Sequence, residues 1–195
     1  MKMSWLEKRL VNRRRKAERN IAKIRRLLGE LDIPAPLDAL ELGCGIGAVS
    51  AFLAESCGMN VVGADYDPDQ IALARRMHAE SERLRFQVED AARLSFAGAS
   101  FSLVVSQNVF HHVPDWRAAV REVARVLRPE GYLIWHDLVF PALAAKLAGP
   151  LLKNYGLYTL SEIEAAFEKC ALTVIHRQRF SRGPFAHYEL VMRKN

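Results

Sequence analysis

The hydrophobic pattern changes character near residue 37. Before it, Leu6, Leu10, Ala17, Ile21, Ile24, Leu28 and Leu31 recur at spacings of three, four or seven. That period predicts one long helix with a narrow apolar stripe. Ser4 is placed to cap its start, and Pro34 and Pro36 prevent it from continuing. From residue 37 onward short apolar runs alternate with helical periods. "LDALEL", "NVVGAD", "LRFQVED", "FSLVVSQ" and "GYLIWHD" read as five strands. Helices are predicted over "IGAVSAFLAESC", from Pro68 to about Ala79, and from Asp115 to about Leu127. Strands alternating with helices in this way imply a parallel sheet covered on both faces. Such sheets bind ligands beyond the carboxyl ends of their strands. The tail breaks the alternation. A helix, "TLSEIEAAFEKC", capped by Thr159 or Ser161, precedes "LTVIHRQRF" and "HYELVMRK", two strands joined through "SRGP" and close enough to pair as an antiparallel hairpin. The expected organisation is a helical extension over 1–36 and an α/β domain over 37–195.

Charge sharpens that division. Residues 1–31 hold 11 Lys and Arg against three Glu, while the remainder carries 17 basic and 19 acidic residues, so the basic character belongs to the extension. A helix docked by its stripe with solvated arginines outside accounts for this pattern. Contact with an anionic surface is the alternative, and nucleic acid is disfavoured because Trp5 is the extension's only aromatic residue. Cys44, Cys57 and Cys170 have no metal-type spacing, so neither a metal site nor a disulfide framework is expected. With no apolar leader and no run of about 18 apolar residues to span a membrane, a cytoplasmic location is the expectation.

The candidate chemistry centres on "LELGCGIG". Gly43, Gly45 and Gly47 follow the first strand and open the first helix, where glycine permits a sharp turn and close approach of a ligand. Asp65 ends the second strand about 20 residues later, placed to bind the hydroxyls of an adenosine ribose. Gly43-x-Gly45-x-x-Ala48 also satisfies a dinucleotide fingerprint. Against a nicotinamide enzyme stand Glu41, whose charge would repel a pyrophosphate, the terminal hairpin, and the lack of room for a substrate domain. An adenosyl ligand carrying an ammonium group suits Glu41 better.

These motifs resemble the class I S-adenosylmethionine-dependent methyltransferases, and among them the small-molecule group that includes quinone-biosynthesis C-methyltransferases. "LELGCGIG" is similar to the first motif, "VVGADYDPDQIALAR" to the second, "FQVEDAARLSFAGASFSLVVSQNVFHHVPD" to the third and fourth, and "VLRPEGYLIWHD" to the stretch entering the fifth strand. The resemblance implies a Rossmann-like doubly wound sheet of seven mostly parallel strands with an antiparallel last strand. It implies S-adenosylmethionine as cofactor, met by Glu41 and by the turn Gly43, Cys44, Gly45 and Gly47. Asp65 would take the ribose and Tyr66 would lie beside the adenine. Asp90 would meet the adenine amino group, Ala91 would offer a backbone N–H, and Ser106 and Gln107 would touch the methionine part. The partner implied is a small, partly apolar methyl acceptor. The fourth strand ends "SQNVF", without the Asn/Asp-Pro-Pro-aromatic motif of many enzymes that methylate nucleobase or glutamine amino groups.

Candidates for proton transfer are His111, His112 and Asp137, with His136 beside the last. Methyl transfer asks little beyond alignment, because the sulfonium is already activated. The apolar stretch 142–152 reads as a lid over the acceptor, with Tyr155 and Tyr158 as polar handles. A non-catalytic cofactor-binding module acting through its basic helix is the reading from a different class.

Overall fold

A computed structural model of the chain describes residues 14–31, 38–143, 145, 154–180 and 185–195. Ser4, Leu6, Leu10, Pro34 and Pro36, the boundary at residue 36, most of the 142–152 stretch and the "SRGP" connection lie outside the described residues. The strands run in the order β3-β2-β1-β4-β5-β7-β6 in one seven-stranded sheet. The chain divides into two compact units, one ending at Glu89 and one beginning at Asp90.

The first unit holds α1 (Arg14–Glu30), β1 (Asp38–Leu42), α2 (Ala48–Cys57), β2 (Asn60–Asp65), α3 (Pro68–Met77) and β3 (Leu84–Val88). β1 and β2 are parallel with Glu41 opposite Gly63, and β2 and β3 are parallel with Gly63 opposite Phe86. α2 begins two residues later than its pattern predicts, because Gly47 occupies the left-handed region at its N-cap. Val49 through Ala54 are all buried, so α2 is covered on its outer side as well. α1 supplies part of that cover: Ile24 and Leu27 are fully buried, and the Arg25 guanidinium lies 4.9 Å from the centre of the Phe52 ring. The stripe read from sequence included Leu28 and not Leu27. In the fold Ile24 and Leu27, one turn apart, carry the contact, and Leu28 is only half-buried on the flank. α3 starts as its sequence dictates, with Asp67 accepting from the Asp69 N–H at 3.0 Å and Pro68 at the first helical position.

The second unit holds β4 (Phe101–Gln107), a short 3-10 turn (Phe110–His112), α4 (Trp116–Val126), β5 (Leu127–Val139), α5 (Leu160–Lys169), β6 (Leu172–Arg179) and β7 (Ala186–Lys194). β4 and β5 are parallel, while β7 runs antiparallel to both β5 and β6 and lies between them. β5 starts at Leu127 rather than Gly131. Leu127 pairs with Phe101, the chain then bulges with Glu130 at φ 65°, and pairing resumes at Tyr132 opposite Leu103. Asp115 caps α4 through the Ala118 N–H at 2.9 Å. Thr159 and Glu162 form a reciprocal capping box on α5. The core of the unit is aromatic: Trp135 meets Phe110, Phe167 and Tyr158 at centroid distances of 5.9 to 6.3 Å, and Tyr158 meets Trp116 at 5.2 Å. Tyr158, expected as a handle for the acceptor, is therefore a fully buried core residue. Among the described residues no helix is long and apolar enough to cross a membrane.

Candidate functional site

In the first unit the three glycines form the predicted turn. Gly43, Gly45 and Gly47 have φ of 68°, 54° and 77°, a region that side chains with a Cβ rarely adopt. Their constraints differ. A Cβ on Gly47 would lie 2.6 Å from the Phe86 ring and 3.1 Å from the Ala74 Cβ, so this glycine allows close packing. A Cβ on Gly45 would meet nothing nearer than the Gln70 Oε1 at 3.9 Å, so this one leaves open space. The turn is tied to the sheet through the Cys44 N–H on the Ala64 carbonyl at 2.9 Å. Burial pushes the Cys44 thiol well up, which leaves the backbone as this residue's polar contribution.

Asp65 stands at the end of β2, where the pattern puts it. Its Oδ2 accepts from the Gly45 N–H at 2.9 Å and its Oδ1 from the Asp67 N–H at 3.0 Å. The strand-end acid therefore also fixes the glycine turn. Tyr66 beside it is half exposed. Glu41 points into the interior at 5% exposure and accepts from the Ser50 hydroxyl at 2.5 Å. Burial pushes its carboxyl up to about 8; the Ser50 hydrogen bond opposes the shift and the Asp65 charge adds a smaller upward push. Sequence reasoning treats Glu41 as a carboxylate, whereas the fold keeps it largely protonated at neutral pH.

Three residues of this unit escape the sequence reading. Ser50 holds Glu41. Gly63 gives Ser50 room, since a Cβ there would lie 2.5 Å from the Ser50 Oγ and 2.7 Å from Phe86. Gln70 is buried, and its Oε1 has no hydrogen-bond partner among the described residues. The available signal was a lone polar residue on an apolar helical face, Ser50 within "AVSAFLA" and Gln70 beside Ile71.

In the second unit Asp90 is exposed and turns the chain, its Oδ1 accepting from the Ala92 N–H at 2.9 Å, while Ala91 is buried. Ser106 and Gln107 end β4 buried, and the Ser106 hydroxyl and both Gln107 side-chain polar atoms have no partner among the described residues. Buried polar atoms of this kind call for a ligand or water.

Asp137 and His111 come together. Asp137 is fully buried; its Oδ2 accepts from the Val109 and Phe110 N–H groups at 2.9 and 2.7 Å, and its Oδ1 from the Leu138 N–H at 2.7 Å and from the His111 Nδ1. Burial alone would raise this carboxyl; the His111 ring and the backbone donors outweigh it and hold it below the usual range. The Tyr158 phenol is pushed well up, by burial first and then by the Asp137 charge. His112 lies against His111 at a ring distance of 4.0 Å, with Tyr155 at 5.9 Å from His112. His136 does not join them. Neighbouring strand residues face opposite sides, and His136 instead stacks on His187 at 5.5 Å and against Phe180 at 5.4 Å.

The family described as "Methyltransferase domain" matches residues 40–135. A demethylmenaquinone methyltransferase of Thermus thermophilus is 37% identical over 178 residues, covering 80% of this chain and 78% of that protein. The methyltransferase GfsG of Streptomyces halstedii is 38% identical over 116 residues, 58% of this chain and 42% of that protein. A 2-methyl-6-phytyl-1,4-hydroquinone methyltransferase of Synechocystis is 37% identical over 110 residues, 56% of this chain and 35% of that protein. This chain thus spans about two fifths of the length of the last two relatives. Among solved structures, a candidate sarcosine dimethylglycine methyltransferase from Galdieria sulphuraria superposes with a TM-score of 0.81 at 16% identity, covering 93% of this chain and 88% of that one. The PH0226 protein of Pyrococcus horikoshii OT3 gives 0.72 at 24% identity, with 95% and 93% covered. At these identities the likeness shows the fold alone.

Proposed function

Because the chain belongs to the class I S-adenosylmethionine-dependent methyltransferases, we propose that it transfers the methyl group of S-adenosylmethionine to a small, largely apolar metabolite. The observation that carries this reading is the turn itself: three glycines in left-handed conformations, tied by the Gly45 N–H to the acid that ends β2. The residues present suit the cofactor. A Cβ on Gly45 would intrude on open space beside the unpartnered Gln70 Oε1, and the unpartnered groups of Ser106 and Gln107 can bond a polar ligand. When bound, S-adenosylmethionine supplies an electrophilic methyl carbon on a sulfonium sulfur.

Glu41, Gly43, Cys44, Gly45 and Gly47 would hold the cofactor with Asp65 on the ribose and Tyr66 at the adenine, and the family resemblance adds Asp90, Ala91, Ser106 and Gln107. Glu41 is suited to an ammonium group because a cation restores the ionised form that burial disfavours. The protein's remaining task is to align the acceptor and keep it close. An apolar acceptor is supported by relatives named for quinones and hydroquinones. It is also supported by Leu143, Phe180 and Phe185, large apolar side chains left exposed in the second unit. A cytoplasmic location fits three cysteines that are all free.

Calorimetric titration with S-adenosylmethionine, S-adenosylhomocysteine and NAD tests the cofactor. Micromolar binding of the two adenosyl ligands without NAD is expected, and binding of NAD alone would overturn the reading. Formation of S-adenosylhomocysteine in the presence of hydroquinone acceptors then separates the enzyme from a non-catalytic binding module.

A further inference from the structure

We infer that the outer flank of α1 is a docking surface for an anionic lipid bilayer, held by charge and without insertion. The observation that carries this is a row of cations. Residues 14–30 hold seven Lys and Arg against two Glu. Lys16, Arg19, Lys23 and Arg26 follow one another at spacings of three, four and three, so they share one side of the helix, and Arg15 joins them one turn before Arg19. From Arg15 to Arg26 the row is about 16 Å long. Arg15 and Arg19 are exposed, and the Arg19 Nε donates to the Arg15 carbonyl at 3.3 Å, which lays that side chain along the row. Glu30 meets the row at its end, where its carboxylate accepts from the Arg26 Nη1 at 2.9 Å.

These charges serve neither the helix nor the core. The macrodipole favours cations in the last turn of a helix, yet the last turn of α1 has no basic residue and ends on Glu30. Packing is carried by Ile24 and Leu27. Arg25, which lies off the row, is the cation turned inward, over the Phe52 ring of α2.

Three kinds of partner carry enough negative charge: an acidic protein, a nucleic acid and a membrane. Protein interfaces are anchored by aromatic or other bulky side chains seated in pockets. Besides its charged residues α1 exposes Ala22 and Gly29, which fill none. A basic helix reads a duplex by entering a groove about 12 Å wide, nearly the full width of the helix. α1 already has one face packed against α2, so it has a flank to offer and not its whole girth. Single strands are held by stacking on aromatic rings, and residues 14–30 contain none. A bilayer surface needs no anchor and no groove, because each Lys or Arg brought near anionic headgroups adds its own share of attraction. The same surface is where an apolar methyl acceptor dissolves. That consequence rests on the methyltransferase reading, whereas the binding itself does not.

Co-sedimentation of the full chain with lipid vesicles tests the surface. Binding is expected to vesicles of phosphatidylcholine and phosphatidylglycerol at about three to one, and not to phosphatidylcholine alone. It should fall steeply as salt rises from about 0.1 M to about 0.5 M. The triple variant Arg15→Gln, Arg19→Gln, Lys23→Gln keeps three helix-forming side chains and should bind roughly 100-fold more weakly, about fivefold for each charge removed. Arg15→Gln and Arg19→Gln alone should each cost about fivefold, a readout that stands even if the triple variant folds poorly. Removing as many charges elsewhere, in Arg76→Gln, Arg85→Gln, Arg121→Gln, should cost much less. Equal loss in the two triple variants, equal binding to neutral vesicles, or no binding to anionic vesicles at low salt would each overturn the inference. Capture by duplex DNA in preference to the vesicles would overturn it too, and would assign the row to nucleic acid. Calorimetry with S-adenosylmethionine keeps the two readings apart: vesicle binding without cofactor binding upholds the surface and overturns the methyltransferase reading alone.

Discussion

At the scale of single residues, Glu41 shows how burial redefines a group that sequence can only locate. An acid two residues before the first glycine was legible; its protonation was not, because that depends on how deeply the fold buries it, with Gly63 of β2 leaving α2 room to close over it. The consequence for stability has a definite sign. The carboxyl titrates at about 8 in the fold against 4.5 in its ordinary environment, so between those values the folded state holds a proton that the unfolded chain has lost. Stability from this group is fully present below pH 4.5 and is lost as pH rises toward 8. Glu41→Gln has no proton to lose and should lack that slope. Urea unfolding at pH 5 and pH 8 should show the wild type losing on the order of 3 kcal/mol more than the variant over that range. A difference that stays constant with pH would mean that Glu41 titrates normally. Gly63→Ala probes the same corner by packing, since its Cβ would press on Ser50 and Phe86. A loss of about 1–3 kcal/mol is expected, read from the same denaturation curves.

Whole elements were more legible than their edges. β2 and β4 fall where their apolar runs place them, because each is a strand bounded by turn residues. β5 was read too short, because Pro129 and Gly131 look like a connection when they form a bulge inside a strand that has already begun to pair at Leu127. The placement of β7 between β5 and β6 was not legible at all. A hairpin satisfies its local pairing on either side of a sheet edge, and only tertiary contacts choose between them. α1 gives a sharper contrast between two adjacent leucines. Leu27 is fully buried while Leu28 is only half so. Leu27→Ala should cost about 2–5 kcal/mol, the range for a large side chain removed from a packed interior. Leu28→Ala should cost clearly less, and equal losses in thermal unfolding would contradict the packing described for α1.

At the scale of the molecule, the sequence carried the seven-strand sheet through its resemblance, and the candidate cofactor residues through strand ends and a glycine turn. What it could not carry was the division of labour within those residues, because hydrogen bonds between distant segments decide it. Asp65 is the clearest case, being at once the proposed ribose acid and the acceptor that holds Gly45 and Asp67. The two roles part in a thermal-shift experiment. A ligand that binds only the folded state adds about 2.7 kcal/mol at 100 times its Kd. For a chain of 195 residues that corresponds to a rise in Tm on the order of 5–10 °C. Asp65→Ala removes the acceptor for two backbone N–H groups, so its ligand-free Tm should fall by itself. If Asp65 also binds the ribose, S-adenosylmethionine at the same concentration should raise that lowered Tm by little or nothing. If Asp65 only staples the turn, the ligand should re-form the turn as it binds and most of the rise should return at higher concentration. The ratio of the two Tm shifts therefore measures how far the acid at the end of β2 serves the cofactor and how far it serves the loop.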